Sequence, residues 1–401
     1  MKRLVPKERN VILKIHSGLE RGPIYLDYNA TTPIDPVVVE AMLPYLTGYF
    51  GNPSSSHSYG HEAHKAVDTA RAQVAQLLGC TAEEITFTGG GSESDNLAIR
   101  GIALAYQDVG NHIITQITEH PGVLQTCHAL ERLHGVRVTY LPVDKSGRVS
   151  TQELEAAIDD KTVLITIMHA NNETGTLQPI AEIAKIARKH GVLFHTDAAQ
   201  SVGKIPVRVE ELGVDLLTVA GHKIYAPKGI GALYCGHDLK LEPVIYGGGQ
   251  EGGRRAGTES VAHIVALGTA CLLAQKHLSE SQVRLRSMRD ALQMLIEQYI
   301  PYDVHLNGHV IERLPNTVNI SVDGVSGEEV LAITPEIASS TGSACHEGST
   351  DPSPVLMAMG YSRERALGAM RLTLGRWSTE EEIERAAILL AKSIDSLRRK
   401  Q

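Results

Sequence analysis

Between residues 85 and 235 the chain alternates short apolar runs with segments of helical period, and few folds accept such a pattern. The apolar runs cover residues 85–88, 112–115, 136–141, 163–168, 192–195, 216–219 and 231–234. Amphipathic segments at 121–134, 151–158 and 180–190 lie between them. Strands that return to one sheet in the same direction need a crossover of helical length. The pattern therefore predicts an α/β domain around a mostly parallel, seven-stranded sheet. Residues 61–78 ahead of it have helical period, and 259–299 behind it are nearly all helix-compatible. Strands are expected again at 317–322, 337–340 and 371–374, before a last helix over 379–398. This predicts a large α/β domain over 35–277 and a smaller α+β domain from 24–34 and 278–401, with 1–23 as an N-terminal extension.

A chain of 401 residues is long enough for two cores. Its net charge is −8 and it has no long basic run, which disfavours direct nucleic-acid binding. The N-terminus mixes Lys, Arg and Glu and has no apolar stretch of signal-peptide length. The most apolar helical stretch, 261–275, is too short to span a bilayer. A cytoplasmic protein without membrane contact is expected. The five cysteines, Cys80, Cys127, Cys235, Cys271 and Cys345, are odd in number and form no C-x-x-C pair. Neither a disulfide framework nor a zinc ribbon is suggested, and no metal site is expected. Cys127, Cys235 and Cys271 fall in apolar patterns and read as core. Cys345 differs: it stands in Ser339-Ser-Thr-Gly-Ser-Ala-Cys-His-Glu-Gly-Ser-Thr-Asp-Pro-Ser-Pro354, a composition that predicts an exposed, mobile loop. A thiol there has no packing role, so its reactivity is the reason to look for.

Four segments that follow apolar strands could share one site. Thr88-Gly-Gly-Gly-Ser-Glu-Ser-Asp-Asn96 opens a helix, where the amides near Gly91 and Ser92 could cradle a phosphate. A tight turn with Ser92 as N-cap is an equal reading. Asp197, in Leu193-Phe-His-Thr-Asp-Ala-Ala-Gln200, ends a strand, where open α/β sheets bind ligands. A carboxylate at that depth needs a cation, unless it only caps a helix. Lys223, in Ala220-Gly-His-Lys-Ile-Tyr-Ala-Pro-Lys-Gly229, leaves a buried strand end, where desolvation would make its amine nucleophilic. Alone it could be a snorkelling surface lysine, as Lys228 is expected to be. His120, in Thr-Glu-His-Pro, could stack on a flat ring and relay protons. The segment His169-Ala-Asn-Asn-Glu-Thr-Gly175 adds a second histidine after a strand. A phosphate cradle, a strand-end Asp, a strand-end Lys and a stackable His together describe a pyridoxal phosphate site, with the ring as electron sink. Arg371 could clamp an amino acid carboxylate or form a surface ion pair.

These motifs resemble the cysteine desulfurase family of fold-type I pyridoxal phosphate enzymes. The resemblance runs from Ile24 to about Arg398. It adds Tyr25-Leu-Asp-Tyr-Asn-Ala-Thr-Thr-Pro33, Phe50-Gly-Asn-Pro-Ser54, Gly247-Gly-Gly249, Arg255-Ala-Gly-Thr258, Gly342-Ser-Ala-Cys345 and Arg371-Leu-Thr-Leu-Gly-Arg376. It implies that Lys223 is the Schiff-base lysine, Asp197 the pyridinium partner and Gln200 a ligand of the ring hydroxyl. His120 would stack on the ring and serve in proton transfer. Ser92, His222 and the amides near Gly91 would hold the phosphate, and Thr258 would reach the phosphate of a second subunit in a homodimer. Asn172 would contact the cofactor and, with Arg371, hold the substrate carboxylate.

The implied reaction converts L-cysteine to L-alanine. Cys345 would take the sulfur as a persulfide and pass it to an acceptor protein for iron–sulfur assembly, tRNA thiolation or DNA phosphorothioation. The long loop around Cys345 resembles one group of these enzymes. Ala220 departs from the serine of many relatives, which removes a hydroxyl from the phosphate site. His346 resembles selenocysteine lyases, which makes that activity, or another fold-type I reaction, the alternative. A non-catalytic scaffold is disfavoured by the intact Lys223, Asp197, His120 and Cys345.

Overall fold

A computed structural model describes residues 16–342 and 351–399. Its central sheet has seven strands in the order Ile85–Thr88, Gly231–Cys235, Leu216–Ala220, Leu193–Asp197, Thr162–Thr166, His112–Gln116 and Arg137–Leu141. The last five of these run parallel. Gly231–Cys235 is antiparallel to both of its neighbours. The chain between it and Leu216–Ala220, residues 221–230, holds only one short helical turn, too little for a parallel crossover. Close approach sets Gly231 here: a Cβ would meet Val219 O at 2.6 Å and the Gly90 backbone at 2.8 Å.

Successive residues of the inner strands face opposite cores, as the strand period requires. Ile113, Leu164 and Leu216 pack with Leu97, Ile99 and Ile102 of helix Gly91–Ala105. Ile114, Ile165 and Leu217 pack on the other face with Val67 and Val74 of helix Ser58–Leu78 and Ile183 of helix Ile180–His190. A third core gathers Ile24 and Leu26 with Leu285, Leu292, Ile296, Ile320, Leu372 and Leu390. It lies on an antiparallel sheet of Ala369–Thr373, Thr317–Val322 and Val304–Leu306. Arg371 stands in the middle of its strand, not at the start. The strand at 337 is only Ile337–Ala338, paired with Ile24–Tyr25, and Ser340 instead bridges to Arg371.

One helix of 39 residues, Val261–Tyr299, joins the cores. By length and composition it is long and apolar enough to cross a membrane, which corrects the shorter stretch read from sequence. Its apolar side is buried in protein: Ala266, Leu267 and Cys271 in one core, Leu285, Leu292 and Ile296 in another.

Gly375 follows the strand that carries Arg371, and a Cβ there would lie 2.1 Å from the ring of Tyr28, which is 2% exposed. A ring so enclosed cannot give way. Gly375→Ala should destabilise the fold by ~1–3 kcal/mol, read as a lower denaturant midpoint at unchanged slope.

Candidate active site

Four of the five parallel strands, His112–Gln116, Thr162–Thr166, Leu193–Asp197 and Leu216–Ala220, end at loops that line a cavity of about 590 Å³. Gly91, Ser92, His120, Asn172, Asp197, Gln200, His222, Lys223 and Arg371 all line it. Nine residues singled out in six separate stretches of sequence thus meet in one place. Thr258 is exposed and lies outside the cavity of its own chain. Cys345 and His346 fall outside the described residues, as does the basic start of the chain. The residues flanking the cysteine segment, Gly342 and Pro354, line the same cavity.

Asp197 is the last residue of its strand, and its Oδ1 accepts the Ala199 amide at 2.8 Å. No helix follows it directly, so it is not an N-cap. Burial raises its pKa, opposed by His120, the Ala199 N–H and Lys223. A buried acid in this state is completed by a cation in the cavity. Lys223 ends the helical turn Gly221–Lys223, one strand over. Its Nζ donates to Asn29 O at 2.6 Å and Ala30 O at 2.8 Å. Burial, and secondly the Arg371 charge, hold this amine down at about 8, while Asp197 and Asp27 oppose them. Lys228 is exposed.

His120 caps helix Pro121–His134 with Nδ1, which accepts the Gly122 amide at 3.0 Å. The proton of a neutral ring therefore sits on Nε2. Burial lowers the pKa of His120, against the pull of Asp197. His222 is held at about 4, first by burial and then by Lys223 and Lys228, so its imidazole is neutral at pH 7.

Helix Gly91–Ala105 begins after Gly90, whose φ of 146° suits glycine. Gly90 is the N-cap and makes no side-chain cap bond, so Ser92 is not the cap. Its first amides are left for an anion. Ala220 lies against this start: a Cβ on Gly91 would be 3.2 Å from the Ala220 Cβ.

Arg371 crosses from the smaller sheet. Nη2 pairs with Asp27 at 2.8 Å and Nη1 donates to Asn172 O at 3.1 Å. Its Nε–H is buried without a partner among the described residues. It is no surface ion pair.

Pyridoxal phosphate fits this donor set. The buried acid, a lysine amine depressed to about 8, uncapped helix amides and a capping histidine each match one part of the molecule. The amine is nucleophilic only when neutral. Loading of cofactor-free protein with pyridoxal phosphate should therefore speed up as pH rises and level off above about 8, measured by timed borohydride trapping.

Four further residues belong to the site and carried no role in the sequence reading. Asp27 holds Arg371, and Asn29 carries the carbonyl on which Lys223 rests. Glu173 is buried, its pKa raised, and accepts from Ser353 at 2.5 Å. Asp95 is fully buried, and burial raises its pKa well above the carboxylate range. Asp27, Asn29, Glu173 and Asp95 all stand inside quoted motifs, which was the available signal.

The aminotransferase class-V family model matches residues 24–386. A cysteine desulfurase IscS of Dictyoglomus turgidum is 48% identical over 377 residues, 94% of this chain and 95% of its own. A solved NifS-like protein superposes with a TM-score of 0.86 at 36% identity, covering 94% of this chain and 99% of its own. A structure of SspA in complex with cysteine gives 0.78 at 40% identity, over 88% and 99%.

Proposed function

The chain belongs to the aminotransferase class-V family and is a pyridoxal phosphate-dependent cysteine desulfurase, and from that premise we propose how its residues divide the work. The substrate is L-cysteine, supported by the cysteine-bound structure among its neighbours. The observation that carries the assignment of roles is the convergence of Lys223, Asp197, Gln200, His120 and Arg371 on one cavity, which Gly342 and Pro354 also line.

When bound, the cofactor supplies a protonated pyridine ring that accepts the electron pair released at the substrate Cα. Asp197 would keep that ring nitrogen protonated, and Gln200 would donate to the ring hydroxyl. The amides near Gly91, with Ser92 and His222, hold the phosphate. Arg371, aimed by Asp27, and Asn172 hold the substrate carboxylate. Lys223 anchors the cofactor at rest. With substrate bound, its free amine would remove the Cα proton. His120, its Nδ1 taken by the Gly122 amide, would lie against the ring and move protons through Nε2. The Cys345 thiolate attacks the substrate sulfur; the S–S bond forms as the Cβ–S bond breaks, and protonation of the carbon product gives alanine. The persulfide then passes to an acceptor protein.

Iron–sulfur cluster assembly is the use we favour, supported by the identity to the IscS relatives across nearly their whole length. Exposed Thr258, outside its own cavity, supports a homodimer in which it reaches the phosphate of the second subunit. The purified protein should be yellow, bleach with borohydride and release alanine from L-cysteine. A marked preference for selenocysteine, surviving loss of Cys345, would instead establish a lyase.

A further inference from the structure

Lys204 lies in the floor behind the cavity and has no part in the reaction above. It is 9% exposed and follows Gln200 by one helical turn's spacing. Its Nζ donates to Gln200 Oε1 at 2.8 Å and to Asn29 Oδ1 at 3.1 Å. Gln200 Nε2 donates in turn to Asn29 O at 2.9 Å, the same oxygen that accepts from Lys223 at 2.6 Å. Asn29 is itself held on the other side, where its Nδ2 donates to Thr317 Oγ1 at 2.9 Å and Asn172 O at 3.2 Å.

This network leaves the Gln200 amide one orientation. A flipped amide would set Oε1 against Asn29 O, two acceptors face to face, and would turn Nε2 toward an amine whose N–H groups already point that way. In the fixed orientation Oε1 is taken by Lys204, and Nε2 keeps one N–H for the cavity that Gln200 lines. The same contacts hold the Asn29 carbonyl in place under Lys223.

We infer that Lys204 is a positioning residue: it locks the Gln200 amide as a donor toward the cavity and braces the Asn29 carbonyl on which Lys223 rests. This rests on the reading of the cavity as a pyridoxal phosphate site. Lys204 does not line the cavity. Burial pushes its amine well below the ordinary lysine range, which suits a group placed for its N–H bonds rather than for charge.

The test is a double-mutant cycle read by binding and spectroscopy. Lys204→Met frees the amide. It should raise the dissociation constant for pyridoxal phosphate about tenfold and shift the visible absorption band at fixed pH. In a Gln200→Ala background the same change should cost less than about twofold. Equal losses in both backgrounds, or a lower melting temperature with unchanged affinity and spectrum, would overturn the proposal. If Lys204→Met does not fold, Lys204→Gln takes its place, since it keeps an N–H donor. Affinity within about threefold of the parent then supports the proposal, and a tenfold loss overturns it. Failure of the unmodified protein to bind the cofactor would instead sink the reading of the cavity itself.

Discussion

Lys223→Ala is expected to cut alanine formation from L-cysteine by ~10⁴-fold or more, because one amine performs two jobs that no neighbour can assume. In the proposed division of work it anchors the cofactor at rest and takes the Cα proton during turnover. The nearest other nitrogen bases have contacts of their own. His120 Nδ1 accepts the Gly122 amide, and His222 Nδ1 contacts the Thr31 hydroxyl at 3.1 Å. Lys204 is turned onto Gln200 and Asn29. Asp197 and the helix amides remain, so the variant should still bind pyridoxal phosphate, but borohydride should no longer fix it to the chain. Alanine formation is followed by chromatography, and covalent attachment by intact mass. Substantial turnover by the variant would mean that another base serves.

Cys345→Ser should behave in the opposite way. It should keep the colour and the covalent cofactor, and lose sulfur transfer by ~10³-fold or more. No other described cysteine can replace it. Cys127, Cys235 and Cys271 are buried, and burial pushes their thiols up to about 12, about 11 and about 12. Cys80 is partly buried and likewise pushed up to about 12. At pH 7 about one in ten thousand or fewer of such thiols is ionised, and only the thiolate attacks sulfur. The variant is assayed for sulfide released with a reductant and for label passed to an acceptor. Retained transfer would remove Cys345 from the mechanism.

The main sheet was legible in the sequence because its strands are short, apolar and separated by helices of clear period. Both helices 121–134 and 180–190 end at the residues expected, each stopped by a left-handed glycine, Gly135 and Gly191. The antiparallel placement of Gly231–Cys235 was not legible, since an apolar run carries no direction. The helix from Val261 runs on to Tyr299 because it passes from one core to another, and its apolar stripe changes partner on the way.

Site residues at strand ends were readable by position, Asp197 and Lys223 above all. The rest depend on contacts across the chain. Asn29 meets Lys204 over 175 positions and Thr317 over 288, and Asp27 meets Arg371 over 344. Such pairings have no local signature. In the sequence Lys204 is one lysine two residues ahead of Pro206, and its burial and hydrogen bonds set it apart only in the fold.

The central claim is that sulfur from L-cysteine passes through Cys345. Incubating the holoenzyme with L-cysteine and no acceptor, then mapping its peptides by mass spectrometry under non-reducing conditions, tests it most directly. The account predicts one added sulfur on the peptide containing Cys345, with one alanine formed for each persulfide in the first turnover. Alanine formed with no sulfur on that peptide, or with sulfur on Cys80, Cys127, Cys235 or Cys271, would contradict it.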